Sequence, residues 1–405
     1  MDRDKFPTLE EVCLANPVSA NLSTHPSSPA IYLAATYACA NPSQANRILG
    51  GEEAGFAYQR DAHPNGQRLA EKFRLLHHAD QALVTNSGMA ALSAIVLHQL
   101  RVGDHCLISR YLYGRSSVLV QQELPKFGIE VAEFDPTDLA SIRRNVRPGQ
   151  TKMLFVETIA NPLLQVADLP AIVALGSEFR FQVAVDNTFA TPYWCRPLEL
   201  GVDWVWESVS KMLNGHSDLM MGMVCGKDSH WGRIRQVAST WGLGAAPWDC
   251  FLAERGLTTF GLRIERASHN ASQAAQFLSA QPQVKHVFYP SLTHHPTQSN
   301  LKSIANTPAW TSNSTNAAGN VVAFELDLQQ CSVEEFISAS GIAYFPSLGE
   351  CGTTLSHPCS SSHRHLTEDQ QQSLGIYPGT LRLSFGIEPF ETLREKILAG
   401  FNCLR

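Results

Sequence analysis

The sequence has no long apolar run and no block of basic residues, and each absence excludes a class of protein. No window reaches the roughly 18 uninterrupted apolar residues that a membrane span needs, and the opening stretch M-D-R-D-K-F-P-T-L-E lacks the apolar segment of a secretory signal. The net charge is −6 without a Lys/Arg-rich cluster, so the electrostatic footprint of a nucleic-acid or acidic-membrane binder is missing. We therefore expect a cytoplasmic protein whose partner is a small-molecule substrate, with neither nucleic acid nor a membrane among its ligands.

Three short motifs are absent as well. The ten cysteines form no C-x-x-C pair and several lie in apolar runs, which predicts buried thiols rather than disulfides or metal ligands. No H-E-x-x-H occurs, and the histidines at 294–295, 357, 363 and 365 lie in Ser- and Pro-rich turns, so we predict hydrogen-bonded side chains and no metal site. No G-x-G-x-x-G follows a predicted strand, which disfavours a nicotinamide-dependent oxidoreductase.

The composition is that of a large globular protein. Its 405 residues, 44% apolar and 17% charged, can bury a sizeable core and predict two or more domains. Apolar segments alternate with helical ones, which indicates an α/β fold with a mostly parallel sheet covered on both faces. We predict an extended N-terminal arm at 1–60, a large domain at 61–255 and a smaller α/β domain at 256–405.

The apolar pattern also predicts individual elements. Predicted strands cover residues 82–85, 104–109, 129–134, 151–157, 181–187, 203–208, 320–328 and 380–387, with a hairpin-like segment at 220–226. Predicted helices cover residues 88–100, 168–179 and 332–340, with a long helical stretch near 249–280.

Polar residues close several of these strands, at the edge of an open α/β sheet where ligands bind. Ser87 and Gly88 follow the first strand and open a helix, whose backbone N–H groups and dipole suit a phosphate. The alternative is an N-cap serine beside a glycine that permits the turn. Glu157 and Asp186 end two further strands, and each acid taken alone is most simply a helix cap or a solvated turn residue.

Lys211 follows the next strand, within the stretch E-S-V-S-K-M-L-N-G-H-S-D. A desolvated lysine can hold a carbonyl as a Schiff base, and a buried aspartate can keep a pyridine nitrogen protonated. With a helix N-terminus and the hydroxyls of Ser208 and Ser210 for a phosphate, these groups meet the demands of pyridoxal 5′-phosphate. The alternative is that Lys211 extends to solvent and pairs with Asp218.

With these residues in view, the sequence resembles the γ-subfamily of sulfur amino-acid enzymes that use pyridoxal phosphate, the cystathionine γ-synthase and γ-lyase type. The resemblance runs from about residue 30 to the end. Its motifs are F-A-Y-Q-R-D-A-H-P-N-G (56–66), S-G-M-A-A (87–91), Y-G-R-S (113–116), V-E-T-I-A-N-P (156–162), V-D-N-T-F-A-T-P (185–192), S-V-S-K-M-L-N-G-H-S-D (208–218), S-L-G (347–349) and L-R-L-S-F-G-I-E (381–388).

The resemblance implies a role for each site residue. Lys211 carries the cofactor and, with Tyr113, is catalytic; Asp186 faces the pyridinium nitrogen and Tyr113 stacks on the ring. The phosphate is held by residues from the helix start and the lysine segment, namely Ser87, Gly88, Met89, Ser208 and Ser210. The substrate is bound by Arg382, Ser347, Glu157 and Asn161, with the arginine fork on the substrate carboxylate.

The resemblance also implies the architecture. The fold is expected to be the aspartate-aminotransferase-like fold type I, with the large domain binding the cofactor. Tyr58 and Arg60 are expected to reach the cofactor of a neighbouring subunit, in a homotetramer built from dimers that share active sites.

The implied activity is elimination or replacement at Cγ of a sulfur amino acid or an activated homoserine, as in cystathionine γ-lyase or γ-synthase. Two departures bear on specificity: Arg115 stands in Y-G-R-S where the family has Gly or Cys, and Glu350 stands two places before Gly352, the usual glutamate position. Methionine γ-lyase, O-acetylhomoserine sulfhydrylase and cystathionine β-lyase therefore remain alternatives, and a non-catalytic family member is a remote one.

Overall fold

The computed structural model describes residues 7–15, 26–305 and 317–402. Cys403 and part of the predicted arm, residues 1–6 and 16–25, lie outside the described residues. The chain divides into two compact units: unit 1 is the chain up to Leu100 together with Asp203–Phe260, and unit 2 is Arg101–Val202 together with Gly261–Arg405. This division rests on compactness alone, so the domain limits expected from the sequence stay a prediction.

Strands and helices alternate through most of the chain. The strands are β1 (Gln81–Thr85), β2 (His105–Ser109), β3 (Glu130–Phe134), β4 (Thr151–Glu157), β5 (Gln182–Asp186), β6 (Trp204–Ser208), β7 (Gly222–Gly226), β8 (Val284–Phe288), β9 (Val321–Leu326), β10 (Ala343–Tyr344), β11 (Thr354–Ser356) and β12 (Thr380–Ser384). The helices are α1 (Leu9–Leu14), α2 (Pro42–Leu49), α3 (Pro64–Leu76), α4 (Gly88–Gln99), α5 (Gly114–Val118), α6 (Leu139–Asn145), α7 (Leu169–Phe179), α8 (Thr191–Trp194), α9 (Asp228–Trp231), α10 (Ile234–Thr240), α11 (Pro247–Leu257), α12 (Phe260–Ser279), α13 (Leu301–Ile304), α14 (Val333–Ser340), α15 (Glu368–Ser373) and α16 (Phe390–Phe401).

Unit 1 contains three strands in the order β1–β7–β6, and both pairings are antiparallel. Helix α4 packs on these strands, and α3 packs on β1 and on α11. Trp204 and Trp206 of β6 are almost fully buried. The hairpin-like segment predicted at 220–226 is therefore confirmed as β7, a strand antiparallel to β6.

The first sheet of unit 2 contains four strands in the order β5–β4–β2–β3, all parallel. Helix α7 packs on β5, and α6 packs on β3. The expected parallel arrangement is confirmed for these four strands. Their pairing sets Glu157 opposite Asp186 at the carboxyl ends of β4 and β5.

The second sheet of unit 2 has the order β10–β11–β12–β9–β8 and is antiparallel except for the β10–β11 pair. Helices α14 and α16 pack against each other, and the Phe336 and Phe401 ring centroids lie 5.1 Å apart. This sheet carries Arg382 in its third strand, β12.

The long helical stretch predicted near 249–280 is confirmed, and it consists of two helices, α11 and α12. The hydroxyls of Thr258 and Thr259 donate to the carbonyls of Arg255 and Gly256, at 2.7 and 3.4 Å. Such local side-chain bonds offer the backbone an alternative to the helical ladder, and α11 ends there before α12 begins.

Among the helices of the described residues, none combines the length and apolar character needed to cross a membrane. In the same part of the chain, no three His, Cys, Asp or Glu side chains cluster closely enough to hold a metal ion.

Candidate active site

The start of α4 carries the first group of site residues in unit 1. Ser87 is the N-cap, and its Oγ accepts a hydrogen bond from the Ala90 N–H at 3.0 Å. The Thr85 hydroxyl donates to the Ser87 carbonyl at 2.9 Å, so the capping alternative is confirmed for this serine. An anion at this helix start would meet the first turn at Gly88 and Met89 and the positive end of the helix dipole.

Two glycines let the backbones of β6 and β7 come close to this turn. A Cβ at Gly88 would lie 3.0 Å from the Ser208 Cβ, and a Cβ at Gly222 would lie 2.3 Å from the Ser87 carbonyl oxygen. At Gly222 the atom that an added Cβ would meet is backbone and cannot yield, so that position has no room for a side chain, whereas a side chain at Gly88 would require Ser208 to shift slightly. The helix start is therefore enclosed by main chain.

Lys211 lies in the turn that follows β6. Its N–H donates to the Ser208 carbonyl at 3.2 Å, and its carbonyl accepts from the Gly215 N–H at 2.8 Å. Ser210 fixes the other side of the turn, because its Oγ accepts from the Met221 N–H at 2.9 Å and donates to the Met221 carbonyl at 3.3 Å. The lysine backbone is thus held at both ends.

The alternative in which Lys211 pairs with Asp218 is not what the structure contains. Asp218 accepts a hydrogen bond from Asn214 Nδ2 at 2.8 Å, and it forms no ion pair with any residue the structure describes. The carboxylate of Asp218 stabilises the polar turn rather than the lysine.

Tyr58 and Arg60 lie on a segment of unit 1 whose backbone is held by a hydrogen bond to a neighbouring stretch of chain. The Gln59 N–H donates to the Ala35 carbonyl at 2.9 Å, and the Arg60 guanidinium lies over the Tyr58 ring, 5.2 Å from its centroid. Both side chains are exposed, Tyr58 by 44%. A fixed backbone with an exposed ring and cation suits a contact with a ligand outside this unit.

The short segment that contains Leu243 and Ala245 holds both the turn before α4 and His63, which lies just before α3. The Leu243 carbonyl accepts from the Asn86 N–H at 2.9 Å, and the Ala245 carbonyl accepts from His63 Nε2 at 3.0 Å. His63 Nδ1 in turn accepts from the Gly66 N–H at 3.1 Å at the start of α3. Burial lowers the pKa of His63, which keeps the imidazole neutral, as these bonds require.

Glu157 is the centre of the site residues in unit 2, at the end of β4 and only 6% exposed. Its Oε1 accepts from the Tyr113 N–H at 2.6 Å, and its Oε2 accepts from the Asn161 N–H at 3.1 Å. Burial raises the pKa of Glu157, and the negative charge of Asp186 raises it further. Both oxygens of this carboxyl group, expected to bind the substrate, are bonded to backbone.

Arg382 is 3% exposed and is held by two acceptors. Its Nη1 donates to Asn161 Oδ1 at 2.7 Å, and its Nη2 donates to the Ser347 carbonyl at 2.9 Å. Its Nε has no acceptor, and the guanidinium forms no ion pair with any described residue. Burial lowers the pKa of Arg382 to about 10, against the charges of Glu350 and Tyr113, so a buried cation without a direct counter-ion persists at neutral pH.

Asp186 ends β5 and is fixed by the residues that follow it. Its Oδ1 accepts from the N–H and the hydroxyl of Thr188, at 3.0 and 2.6 Å. The adjacent Asn187 accepts from the Thr158 hydroxyl at 2.7 Å, which ties this turn to the one that follows Glu157. The two carboxyl groups are therefore held at the same end of the parallel sheet.

Tyr113 precedes helix α5 and keeps 41% of its surface exposed. A Cβ at Gly114 would lie 2.5 Å from the His365 Cε1, so the turn around His365 packs directly on the helix start. Arg115 is exposed, and its charge adds to burial in lowering the pKa of His365. The exposed Arg115 thus follows two residues after Tyr113, and His365 beside the helix start is held toward its neutral form.

The second departure from the family pattern, Glu350 before Gly352, has a clear local structure. Glu350 Oε2 is buried and lacks a hydrogen-bond partner. A Cβ at Gly352 would have only Glu388 Oε1 near it, at 3.9 Å. The glycine position therefore has room for a side chain that this sequence does not supply.

Sequence reasoning missed three supports of the site. Gly222 is a glycine inside a strand, which is a recognisable sign of close backbone approach. His63 and Asn86 make contacts with residues more than 150 positions away, and no local pattern announces such pairs.

Comparison with known proteins decides the family. The model of the Cys/Met metabolism PLP-dependent enzymes matches residues 13–402. The chain belongs to this family. It is 34% identical to the cystathionine beta-lyase of Bacillus subtilis, over 96% of this chain and 95% of that protein. It is 31% identical to the L-methionine gamma-lyase of Porphyromonas gingivalis, over 92% of each. The solved cystathionine gamma-lyase of Lactobacillus plantarum, complexed with L-serine, superposes with a TM-score of 0.89 at 28% identity and covers 98% of this chain and 99% of that one.

Membership confirms the expected fold type I, the enzyme class and the cofactor, pyridoxal phosphate. The residues present fit that cofactor. The main-chain cradle around the start of α4, with its helix dipole, would suit a phosphate, and Asp186, fixed by Thr188, would suit a ring nitrogen. Which named residue contacts which part of the cofactor stays a prediction.

Proposed function

We propose that this enzyme eliminates or replaces a substituent at Cγ of a sulfur amino acid or an activated homoserine, as a cystathionine γ-lyase or γ-synthase. That the substrate is an amino acid is inferred from Arg382. Its guanidinium is buried, has two fixed acceptors and has no ion-pair partner among the described residues. A buried cation without a counter-ion is costly unless a ligand supplies the anion. An α-carboxylate matches its planar fork.

The remaining roles follow from the chemistry of each group. Bound pyridoxal phosphate supplies an electron sink for the charge that develops at the substrate. Lys211 would hold the cofactor covalently, and its amine, once displaced by substrate, would take the proton from Cα, pass it on and then remove a proton from Cβ, so that the Cγ substituent can leave with its bonding electrons. Asp186 keeps the ring nitrogen protonated, and Tyr113 stacks on the ring and assists departure of the Cγ substituent.

The phosphate is assigned to the enclosed helix start of unit 1. Gly88 and Met89 form the first turn of α4, and Ser208 brings a hydroxyl side chain close to Gly88. Ser87 and Ser210 contribute through the backbone turns that they fix, since their hydroxyls are bonded to Ala90 and Met221.

Methionine γ-lyase, O-acetylhomoserine sulfhydrylase and cystathionine β-lyase are the alternatives, and a non-catalytic family member is the remote one. Gly352 favours the first two, because it leaves out the glutamate that the resemblance assigns to a distal amino group. Arg115, an exposed cation beside Tyr113, favours a substrate whose distal end is anionic.

We also propose a cytoplasmic homotetramer built from dimers that share active sites. Nine cysteines of the described residues are free thiols, which suits a reducing compartment. The exposed Tyr58 and Arg60 support a contact in trans.

Two measurements test the proposed activity. Purified enzyme is incubated in turn with cystathionine, methionine, homocysteine, O-acetylhomoserine and O-succinylhomoserine, and keto acids and sulfur products are identified by mass. Products cleaved at Cγ support the proposal; cleavage only at Cβ gives the cystathionine β-lyase alternative, and no product from any substrate gives the non-catalytic one.

Borohydride reduction followed by peptide mapping should fix the cofactor on Lys211, and labelling of another lysine contradicts that assignment.

A further inference from the structure

We infer that Glu157 is a positioning residue: its two carboxyl oxygens hold the main chain of Tyr113 and of Asn161, and through Asn161 they set the guanidinium of Arg382. The inference rests on the proposed function, in which Tyr113 meets the cofactor ring and Arg382 meets the substrate carboxylate. It replaces the expectation that Glu157 binds the substrate directly.

The geometry leaves Glu157 little access to a ligand. The residue is 6% exposed, and its oxygens accept from two N–H groups that belong to different segments, 2.6 Å from the Tyr113 N and 3.1 Å from the Asn161 N. The two donors meet different oxygens, and a neutral glutamine, with one oxygen and one NH2 group, would turn a donor toward one of them. A carboxyl group can accept from both, which explains an acid at a position where burial and Asp186 both disfavour its charge.

Asn161 passes this constraint on to Arg382. The backbone of Asn161 is held by Glu157, while its side-chain Oδ1 accepts from Arg382 Nη1 at 2.7 Å. The Ser347 carbonyl holds the other arm of the fork at 2.9 Å. Loss of the Glu157 bond therefore frees Asn161, which orients one of the two arms of the guanidinium, although among the described residues no hydrogen bond joins Glu157 to Arg382 directly.

The direct test is Glu157→Gln, which keeps size and one acceptor but turns an NH2 group toward one of the two N–H donors. We expect the dissociation constant for glycine, measured on the cofactor-loaded enzyme by calorimetry, to rise about tenfold, as expected when a hydrogen bond of a charged group is lost. KM for reacting substrates should rise in parallel. The amount of borohydride-fixed cofactor should change by less than about twofold, since the cofactor lysine lies elsewhere in the chain. The near-UV circular dichroism of the bound cofactor should change, because the backbone of Tyr113 is no longer held by Glu157.

Tyr289→Phe is the matched control for structural damage in unit 2. The buried Tyr289 hydroxyl accepts from the Ala318 N–H at 2.6 Å and donates to the Gly319 carbonyl at 2.9 Å, so its loss also removes buried bonds to backbone. This variant should lose thermal stability with glycine affinity unchanged. A glycine affinity of Glu157→Gln no weaker than that of Tyr289→Phe overturns the inference.

A double-variant cycle separates positioning from direct contact. Asn161→Ala keeps the backbone bond to Glu157 and removes only the link to Arg382. If Glu157→Gln does not fold, Asn161→Ala is tested by itself. Unchanged glycine affinity in Asn161→Ala then overturns the inference that Asn161 links Glu157 to Arg382. Where both fold, Glu157→Gln added to Asn161→Ala should weaken glycine binding by much less than the product of the two single effects. Full additivity would mean that Glu157 acts independently of Asn161, which overturns the inference. Glycine has no Cγ, so these measurements stand even if the proposed γ-chemistry fails.

Discussion

The two units hold their site residues by opposite means. In unit 1 the group is built from glycines, serines and main chain, and the backbone packs closely at Gly88 and Gly222. In unit 2 it is built from buried ionisable groups, with Glu157 and Arg382 joined through Asn161. The main-chain cradle that we propose for a phosphate does not titrate, whereas the guanidinium that we propose for a carboxylate can be changed by one substitution. Cofactor binding should therefore fail by steric change, and substrate binding by change of charge or hydrogen bonding.

The largest effect should come from removing either half of a shared site. We expect Lys211→Ala and Arg60→Ala each to be nearly inactive, because one removes the proposed cofactor lysine and the other the cation proposed to serve a neighbouring subunit. When the two variants are unfolded and refolded together, about half of the dimers are mixed and each carries one intact site, so about a quarter of all sites should work. Assay of the mixture against each variant refolded alone checks this. Activity no higher than the separate sum, with mixed oligomers present, means that unit 1 completes its site within one chain.

Gly222→Ala should damage cofactor binding next most strongly. Its Cβ would lie 2.3 Å from the Ser87 carbonyl oxygen, and such overpacking costs about 1–3 kcal/mol, or roughly tenfold to a hundredfold in the dissociation constant for pyridoxal phosphate. A fluorescence titration of the apoenzyme measures it. Gly244→Ala is the control, because its Cβ would make only an ordinary 3.4 Å contact, and similar losses in both variants would mean that the cradle is not the phosphate site.

Arg382→Lys should damage the substrate half alone. A point charge replaces a two-pronged donor, and each charged hydrogen bond lost costs on the order of 1.5–3 kcal/mol, so KM should rise about tenfold or more while the cofactor dissociation constant hardly changes. Steady-state kinetics beside a cofactor titration decides it. An equal rise in KM and in the cofactor dissociation constant would contradict the assignment of Arg382 to substrate binding alone.

The smallest expected effect is the dependence of folding stability on pH that His63 causes. Because burial lowers the pKa of His63 below 6.5 in the folded protein, the unfolded chain takes up a proton first on acidification. Stability is therefore fully present above about pH 6.5 and falls as the pH drops through the window below it. Protonation also removes the acceptor at Nδ1 that caps α3.

We expect His63→Asn to flatten this dependence, since asparagine caps a helix without titrating. Melting temperatures of the two proteins between about pH 7 and pH 5 test it, and parallel curves would assign the acid sensitivity to other groups.

Local signals were enough to predict much of the fold and the positions of the motifs. Continuous apolar runs predicted β4 and β5 because strands of a parallel sheet are buried on both faces, and Ser87 followed by Gly88 announced a helix start. Strand β8, with two exposed residues among five, has no such run and was missed. The bonds of Glu157 to Tyr113 and Asn161 could not be predicted from local pattern, since either acid at a strand end looks the same in sequence whether it meets a ligand or a distant N–H.

The split course of unit 1 has a consequence for synthesis on the ribosome. Strand β1 pairs only with β7 among the described strands, and the segment Arg101–Val202, which belongs to unit 2, is translated between them. While that segment emerges, β1 remains an unpaired edge, and the turn at Ser87 lacks both the wall at Gly222 and the support at Leu243. Nascent chains are thus exposed to aggregation until residues near 245 have left the exit tunnel, and the vitamin-derived cofactor can be captured only after that point.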